Sequence, residues 1–314
     1  MQKWLAILGA TLLIACRESS QGQSQTTTTS TQENAQENLN RTPTPEEDFL
    51  ITISTPFGQM HGILYEETKQ HRENFIKLVK EKYYDGLLFH RCIKDFMIQG
   101  GDPTSKGAAP GVILGNHGPG YYLPAEFMPE KYFHEKGAIC AARKGDQVNP
   151  QKQSDGSQFY IVQGKVYSEE ELRRVRTDFY KLYELFQKLL TKPAYISLAT
   201  ELTRLQQRGD NAAIEQLILK YKETCEKEFG VELDKPLTQE QIQKYTTIGG
   251  TPFLDGDYTV FGKILDGFEV LDKIASQPGD TYNRPLTDIP MKITAEILPK
   301  AEITKRFGYQ YPKN

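Results

Sequence analysis

The sequence predicts a mainly β domain interrupted by a block of helices, on three observations. Eight short runs rich in β-branched and aromatic residues recur at 50–55, 59–64, 87–91, 97–100, 138–142, 158–162, 259–264 and 291–298, each bounded by Gly, Pro or Asp. Two helical stretches, 73–84 and 267–275, lie among them. Between Val162 and Gly249 the apolar spacing changes from alternation to steps of three and four, the period of an amphipathic helix.

At the N-terminus Lys3 precedes a mainly apolar run from Trp4 to Ala15, too short to span a bilayer, so residues 1–16 read as a targeting segment. Residues 17–48 are rich in Ser, Thr, Gln, Asn and Glu. They offer too little apolar surface to offset ordering, and a disordered tether is expected. As a flexible coil of 32 residues it would span about 30 Å on average. The folded domain is then expected over 49–299, with a C-terminal tail at 300–314 that packs on it or frays. The whole chain has 314 residues and a net charge of −3, which provides no broad basic surface, and no nucleic-acid partner is expected. Besides Cys16 there are three cysteines, Cys92, Cys140 and Cys225. They lack CxxC or Cys/His spacing, so they are read as buried free thiols and no metal site is expected.

Within the helical block, Leu172, Val175, Phe179, Leu182, Phe186 and Leu189 predict one amphipathic helix, opened by a capping box at Ser168 and Glu171 and ended at Lys192-Pro193. Further helices are expected over 194–207 and 211–229, and a capped one from Thr238 and Gln241 to Tyr245. The block at 168–245 is expected to be an inserted hairpin or small bundle, forming a wall or lid beside the substrate groove.

The most informative stretch is 89–102. It sets Arg91, Phe96, Met97 and Gln99 close together and then runs into Gly100-Gly101, where glycine freedom ends the strand. A cation, an apolar wall and a carboxamide on one hairpin suit the gripping of an extended peptide. The stretch resembles the signature of the cyclophilin-type peptidyl-prolyl isomerases. Asn74-Phe75, then 156–161, then 254–263 resemble three further blocks of that family in the same order, so the likeness covers about 50–299 apart from the insertion.

The resemblance implies a closed eight-stranded antiparallel barrel with two capping helices. It implies that the chain speeds X–Pro rotation in proline-containing polypeptides, with Arg91 as the catalytic residue. Phe96, Met97, Tyr160 and Leu254 would line the proline pocket, with Phe253 beside them and Tyr258 at its edge. Gln99 and Gln158 would hold the substrate backbone, and the main chain at Ala141 and Ala142 would pair with the residue before proline. Rotation makes no bond, so neither a nucleophile nor a cofactor is required. Phe253 and Tyr258 stand where many eukaryotic members carry tryptophan and histidine, which implies weak cyclosporin binding. Tyr160 replaces the usual phenylalanine, and its hydroxyl would narrow the pocket or reach water. Leu13-Ile14-Ala15-Cys16 resembles a bacterial lipobox, implying cleavage before Cys16, lipidation there and membrane anchoring in the cell envelope. The alternative is a peptide-binding chaperone or scaffold in which isomerisation is incidental.

Overall fold

The computed structural model describes residues 41–312. The expectations for the leader, for Cys16 and for most of the tether lie outside the described residues. Order begins earlier than residue 49. The second residue of strand β1 (Glu47–Thr55) is Asp48, which is buried because its carboxylate takes donors from Arg72 (2.6 Å), from the Phe49 N–H (2.8 Å) and from the Tyr311 hydroxyl (3.1 Å). A polar residue that reads as tether is thus fully partnered in the fold.

The remaining strands are β2 (Gly58–Leu64), β3 (Arg91–Ile93), β4 (Met97–Gly100), β5 (Tyr122–Leu123), β6 (Ala138–Ala141), β7 (Ser154–Asp155), β8 (Phe159–Val162), β9 (Val260–Asp266) and β10 (Lys292–Pro299). Eight form one antiparallel sheet in the order β10-β1-β2-β9-β6-β8-β4-β3, and β5 pairs with β7 apart from it. The sheet has two ends and does not close into the continuous ladder that the resemblance implied. Its ends meet along a seam of separate bonds, from Gly86 N–H to Met291 C=O (2.9 Å), Met291 N–H to Leu87 C=O (2.8 Å) and Phe89 N–H to Ile289 C=O (2.9 Å). Leu88 and Pro290 face each other between these bonds as one isolated bridge, and the pairing does not extend into a ladder. The run expected at 87–91 is a strand only from Arg91.

Side-chain alternation divides the sheet into two faces. One carries Phe159, Ile161, Ile98 and Ile139, and it packs with Phe75, Tyr84 and Phe261 as interlocked rings. Phe75 comes from helix α1 (Lys69–Lys80), which starts four residues before the expected position. The other face carries Met97, Cys140, Tyr160, Val162 and Val260, and onto it fold Ile303 and the rings of Phe307, Tyr309 and Tyr311. The C-terminal tail therefore packs, through helix α9 (Lys300–Phe307). The second expected helix is present as α8 (Phe268–Ala275). Gly100 ends β4, and at Gly101 (φ 95°) a Cβ would stand 2.2 Å from Ser157 C=O, so only glycine fits.

The insertion contains six helices: α2 (Glu169–Arg176), α3 (Phe179–Leu190), α4 (Ile196–Arg208), α5 (Asn211–Lys220), α6 (Lys222–Phe229) and α7 (Gln239–Thr247). The single helix expected through Leu172 and Leu189 is broken. Thr177 is extended, its hydroxyl donates to Asp234 (2.7 Å), and Asp178 caps α3 by accepting from the Lys181 N–H (2.9 Å). The helix expected over 211–229 likewise divides at Tyr221. The apolar stripe serves two cores. Leu172 and Val175 pack with Phe133, Tyr167 and Tyr245, whereas Leu182, Phe186 and Leu189 form a separate bundle core with Leu198, Leu202 and Ile218. Each of these buried side chains contributes about 1.5–3 kcal/mol through removal from water. Cys92, Cys140 and Cys225 are all buried and unpaired, as expected.

Candidate active site

Neighbouring strands place the signature side chains in one row. Arg91 on β3 stands opposite Gln99 on β4, Gln99 opposite Tyr160 on β8, and Tyr160 opposite Cys140 on β6. Directly opposed residues share a face, so a cation, an amide and an aromatic ring line one side of the sheet. Beside them opens a pocket of about 110 Å³, lined by Arg91, Phe96, Met97, Gln99, Ala142, Arg143, Tyr160, Leu254 and Tyr258.

Arg91 is held without an acidic partner among the described residues. Its Nη1 donates to Gln99 Oε1 at 3.2 Å and lies 3.8 Å from Met97 Sδ, and its guanidinium is 5.7 Å from the centre of the Phe96 ring. Burial lowers its pKa from the ordinary 12.5. Guanidinium nevertheless keeps its charge across any working pH.

Behind Arg91 runs a chain of amides whose direction is fixed at its far end. The carbonyls of Gly115 and His117 can only accept, so Gln158 presents its NH₂ to them, at 3.0 and 2.8 Å. Gln158 Oε1 therefore accepts from Gln99 Nε2 (3.0 Å), which leaves Gln99 Oε1 to accept from Arg91. The loop bearing those carbonyls is anchored by Asp102, fully buried, whose carboxylate accepts from Gly115 N–H (2.6 Å) and His117 N–H (3.4 Å). Burial would raise the Asp102 carboxyl. The bonds from Thr104, Gly115 and His117 outweigh it and hold the group below its ordinary 3.8.

Phe96, Met97, Gln99, Ala142, Tyr160, Leu254 and Tyr258 are brought together in the lining of this pocket. Gln158, Ala141 and the insertion stand outside that lining. Gln158 does not line the pocket: it is buried, and its amide is engaged by Gly115, His117 and Gln99. Ala141 does not line it either. It lies on the opposite face from Ala142, because successive strand residues alternate. The main chain of both alanines is also engaged, with Ala141 N–H donating to Thr259 C=O (2.9 Å), Ala142 N–H to Gln158 C=O (2.9 Å) and Asp155 N–H to Ala142 C=O (2.8 Å). The next residue is Arg143, overlooked in the sequence, and no hydrogen bond engages its backbone N–H or C=O. Its guanidinium lies 4.5 Å from the centre of the Tyr258 ring, and its Nε donates to Asp257 C=O (2.7 Å). No residue of the insertion lines this pocket.

Phe253 stands at the rim rather than in the lining. It is 43% exposed, with its ring 5.8 Å from that of Phe96. The Tyr160 hydroxyl neither narrows the pocket nor meets water: it turns inward to His134 Nε2 (3.0 Å).

The model of the family described as cyclophilin type peptidyl-prolyl cis-trans isomerase matches residues 50–186 and 229–296, well over half of the chain. The chain belongs to this cyclophilin family. It is by that membership a peptidyl-prolyl cis-trans isomerase, and the unmatched residues 187–228 fall inside its helical insertion. A relative from Staphylococcus aureus, named a peptidyl-prolyl cis-trans isomerase, is 31% identical over 217 residues, covering 69% of this chain and 75% of that one. A relative from Streptococcus pyogenes, named a bifunctional phosphatase/peptidyl-prolyl cis-trans isomerase, is 30% identical over 76% of this chain, which spans only 37% of its length. A solved structure of a Cryptosporidium parvum cyclophilin type isomerase is 21% identical and covers 80% of this chain and 98% of its own, with a TM-score of 0.44.

Proposed function

We propose that Arg91 is the catalytic residue, acting on X–Pro bonds whose proline ring enters the pocket between Phe96, Met97, Tyr160 and Leu254. The observation that carries this is an arginine held by Gln99, without a carboxylate partner, at the edge of an apolar pocket. Rotation about a peptide bond costs about 18–20 kcal/mol because it breaks amide resonance. In the twisted state the prolyl nitrogen regains a lone pair that accepts a hydrogen bond, whereas in the planar amide it does not. A donor fixed at that nitrogen thus favours the transition state over the substrate. A charged hydrogen bond contributes roughly 1.5–3 kcal/mol, which is about one to two decades in rate. The residue before proline would pair with the unengaged main chain of Arg143.

The test is cis-to-trans exchange of a short X–Pro peptide by the full-length chain and by Arg91→Ala. A fall of about 10- to 100-fold in kcat/KM is expected. An undiminished variant would overturn the assignment of Arg91. We also read the clients as exported proteins and the chain as lipid-anchored through Cys16 in the cell envelope, on the strength of the leader and the lipobox-like run. Labelled palmitate should enter the wild-type protein in a bacterial host and be absent from Cys16→Ala; equal labelling would refute the anchor. Phenylalanine at position 253 supplies no N–H donor, so cyclosporin should bind weakly, and inhibition at nanomolar concentration would contradict that reading.

A further inference from the structure

The inward turn of the Tyr160 hydroxyl leads to a buried polar network that isomerisation does not require. His134 is fully buried, and its Nδ1 lies 2.8 Å from Asp255 Oδ1. The same carboxylate accepts from the His134 N–H (2.9 Å), the Tyr245 hydroxyl (2.6 Å) and Gln241 Nε2 (3.3 Å). A carboxylate surrounded by donors fixes the ring: Nδ1 carries the proton, Nε2 presents its lone pair, and Tyr160 donates to it. Tyr245 and Gln241 are four residues apart on one face of α7, the last helix of the insertion, and both are buried.

Asp255 also immediately follows the short 3₁₀ turn Pro252–Leu254, which carries Phe253 and Leu254. From the insertion, Lys235 Nζ donates to the Asp255 carbonyl (3.2 Å) and pairs with the Asp257 carboxylate (2.8 Å), next to Tyr258. Three elements of the pocket, the Tyr160 ring, the Leu254 turn and the Tyr258 segment, thus depend on one stretch that the insertion holds from behind.

We propose that the insertion is a buttress of the proline pocket: Tyr245 and Gln241 clamp Asp255, which through His134 sets the Tyr160 ring. This rests on the isomerase reading. His134, Asp255, Gln241 and Tyr245 are positioning residues, and none of them lines the pocket. Buried polar networks suit such a task because a lost partner leaves the next group unsatisfied, and the geometry then shifts along the chain.

The experiment is a double-mutant cycle in the full-length chain with Tyr160→Phe, Tyr245→Phe and the pair, read as KM and kcat on a short X–Pro peptide. Thermal melts on the same preparations confirm that each is folded at the assay temperature. Tyr245→Phe is expected to raise KM about three-fold or more with kcat retained, and the pair to raise it by less than the product of the singles. Unchanged KM in Tyr245→Phe, loss confined to kcat, or a pair equal to that product would overturn the coupling. A wild-type chain that fails to speed exchange would instead overturn the isomerase reading, so the two failures are separable.

Discussion

Arg91 can serve a substrate because its neighbours ask little of it. One amide accepts from it at 3.2 Å and no acid competes, so most of its five N–H donors stay available. Gln158, two bonds behind, should matter nearly as much for rate as for geometry. Gln158→Leu is expected to lower kcat/KM on a short peptide by about ten-fold, since a freed Gln99 no longer fixes the guanidinium; activity equal to wild type would remove Gln158 from the positioning chain. His90, next to Arg91, offers a pH prediction. Both of its ring nitrogens are buried, and burial drives its pKa from the ordinary 6.5 to about 4 against the pull of Asp102. The unfolded chain therefore takes up a proton more readily than the folded one. The neutral ring's contribution is complete above about pH 6.5 and is lost as pH falls toward 4, at up to about 1.36 kcal/mol per unit. Denaturant titrations from pH 7 to 4 should show a shallower loss for His90→Gln than for wild type, and parallel curves would refute the assignment. The signature residues were legible because their spacing within one hairpin is local. The Ala141–Ala142–Arg143 phase was not, since two adjacent alanines carry no mark of which one faces out. The partner of the Tyr160 hydroxyl lies 26 residues away in sequence and the carboxylate behind it 121 from His134, distances at which spacing carries no signal.

Helix α7 couples an ordinary local signal to a distant consequence. Thr238 accepts from the Gln241 N–H (3.2 Å) while Gln241 Oε1 accepts from the Thr238 N–H (2.8 Å), a reciprocal cap readable from the sequence alone. Thr238→Ala is expected to cost about 1 kcal/mol of stability, and an unchanged denaturation midpoint would refute the cap's contribution. What could not be read is that the Gln241 NH₂ group is committed elsewhere, to Pro129 C=O (2.9 Å) and Asp255. The broken helix at Thr177 is the converse case. Val175 and Phe179 keep the helical period across the break, so the pattern is continuous while the chain is not. The signal that mattered was the pair Thr177-Asp178, a polar dipeptide suited to ending one helix and capping the next.

Taken whole, the molecule divides the insertion's work between two cores. Helices α2 and α7 share theirs with Phe133, in the segment before β6, whereas α3 to α6 bury theirs among themselves. Removing all of 168–245 would strip Asp255 of Tyr245 and Gln241, and activity on short peptides should fall with it. Replacing only 178–233 by a short glycine-rich linker should keep short-peptide kcat/KM within about two-fold, because the coupling to the pocket stays intact and distant changes act independently. A large loss in the second variant would show that the bundle supports the pocket directly. Comparing the two variants in refolding of a proline-limited protein would then show whether the bundle engages clients.

The chain leaves for the bundle at Asp178 and comes back at Leu233, and these two residues are joined by a hydrogen bond from the Asp178 N–H to the Leu233 C=O at 2.8 Å. Next to them the Thr177 hydroxyl fastens to Asp234 and Arg176 pairs with the same carboxylate at 2.9 Å. Exit and entry are thus a stapled doorway. Cargo of another shape or size could be grafted there with both hinges already in register, and the pocket, which no residue of 178–233 lines, would keep its walls.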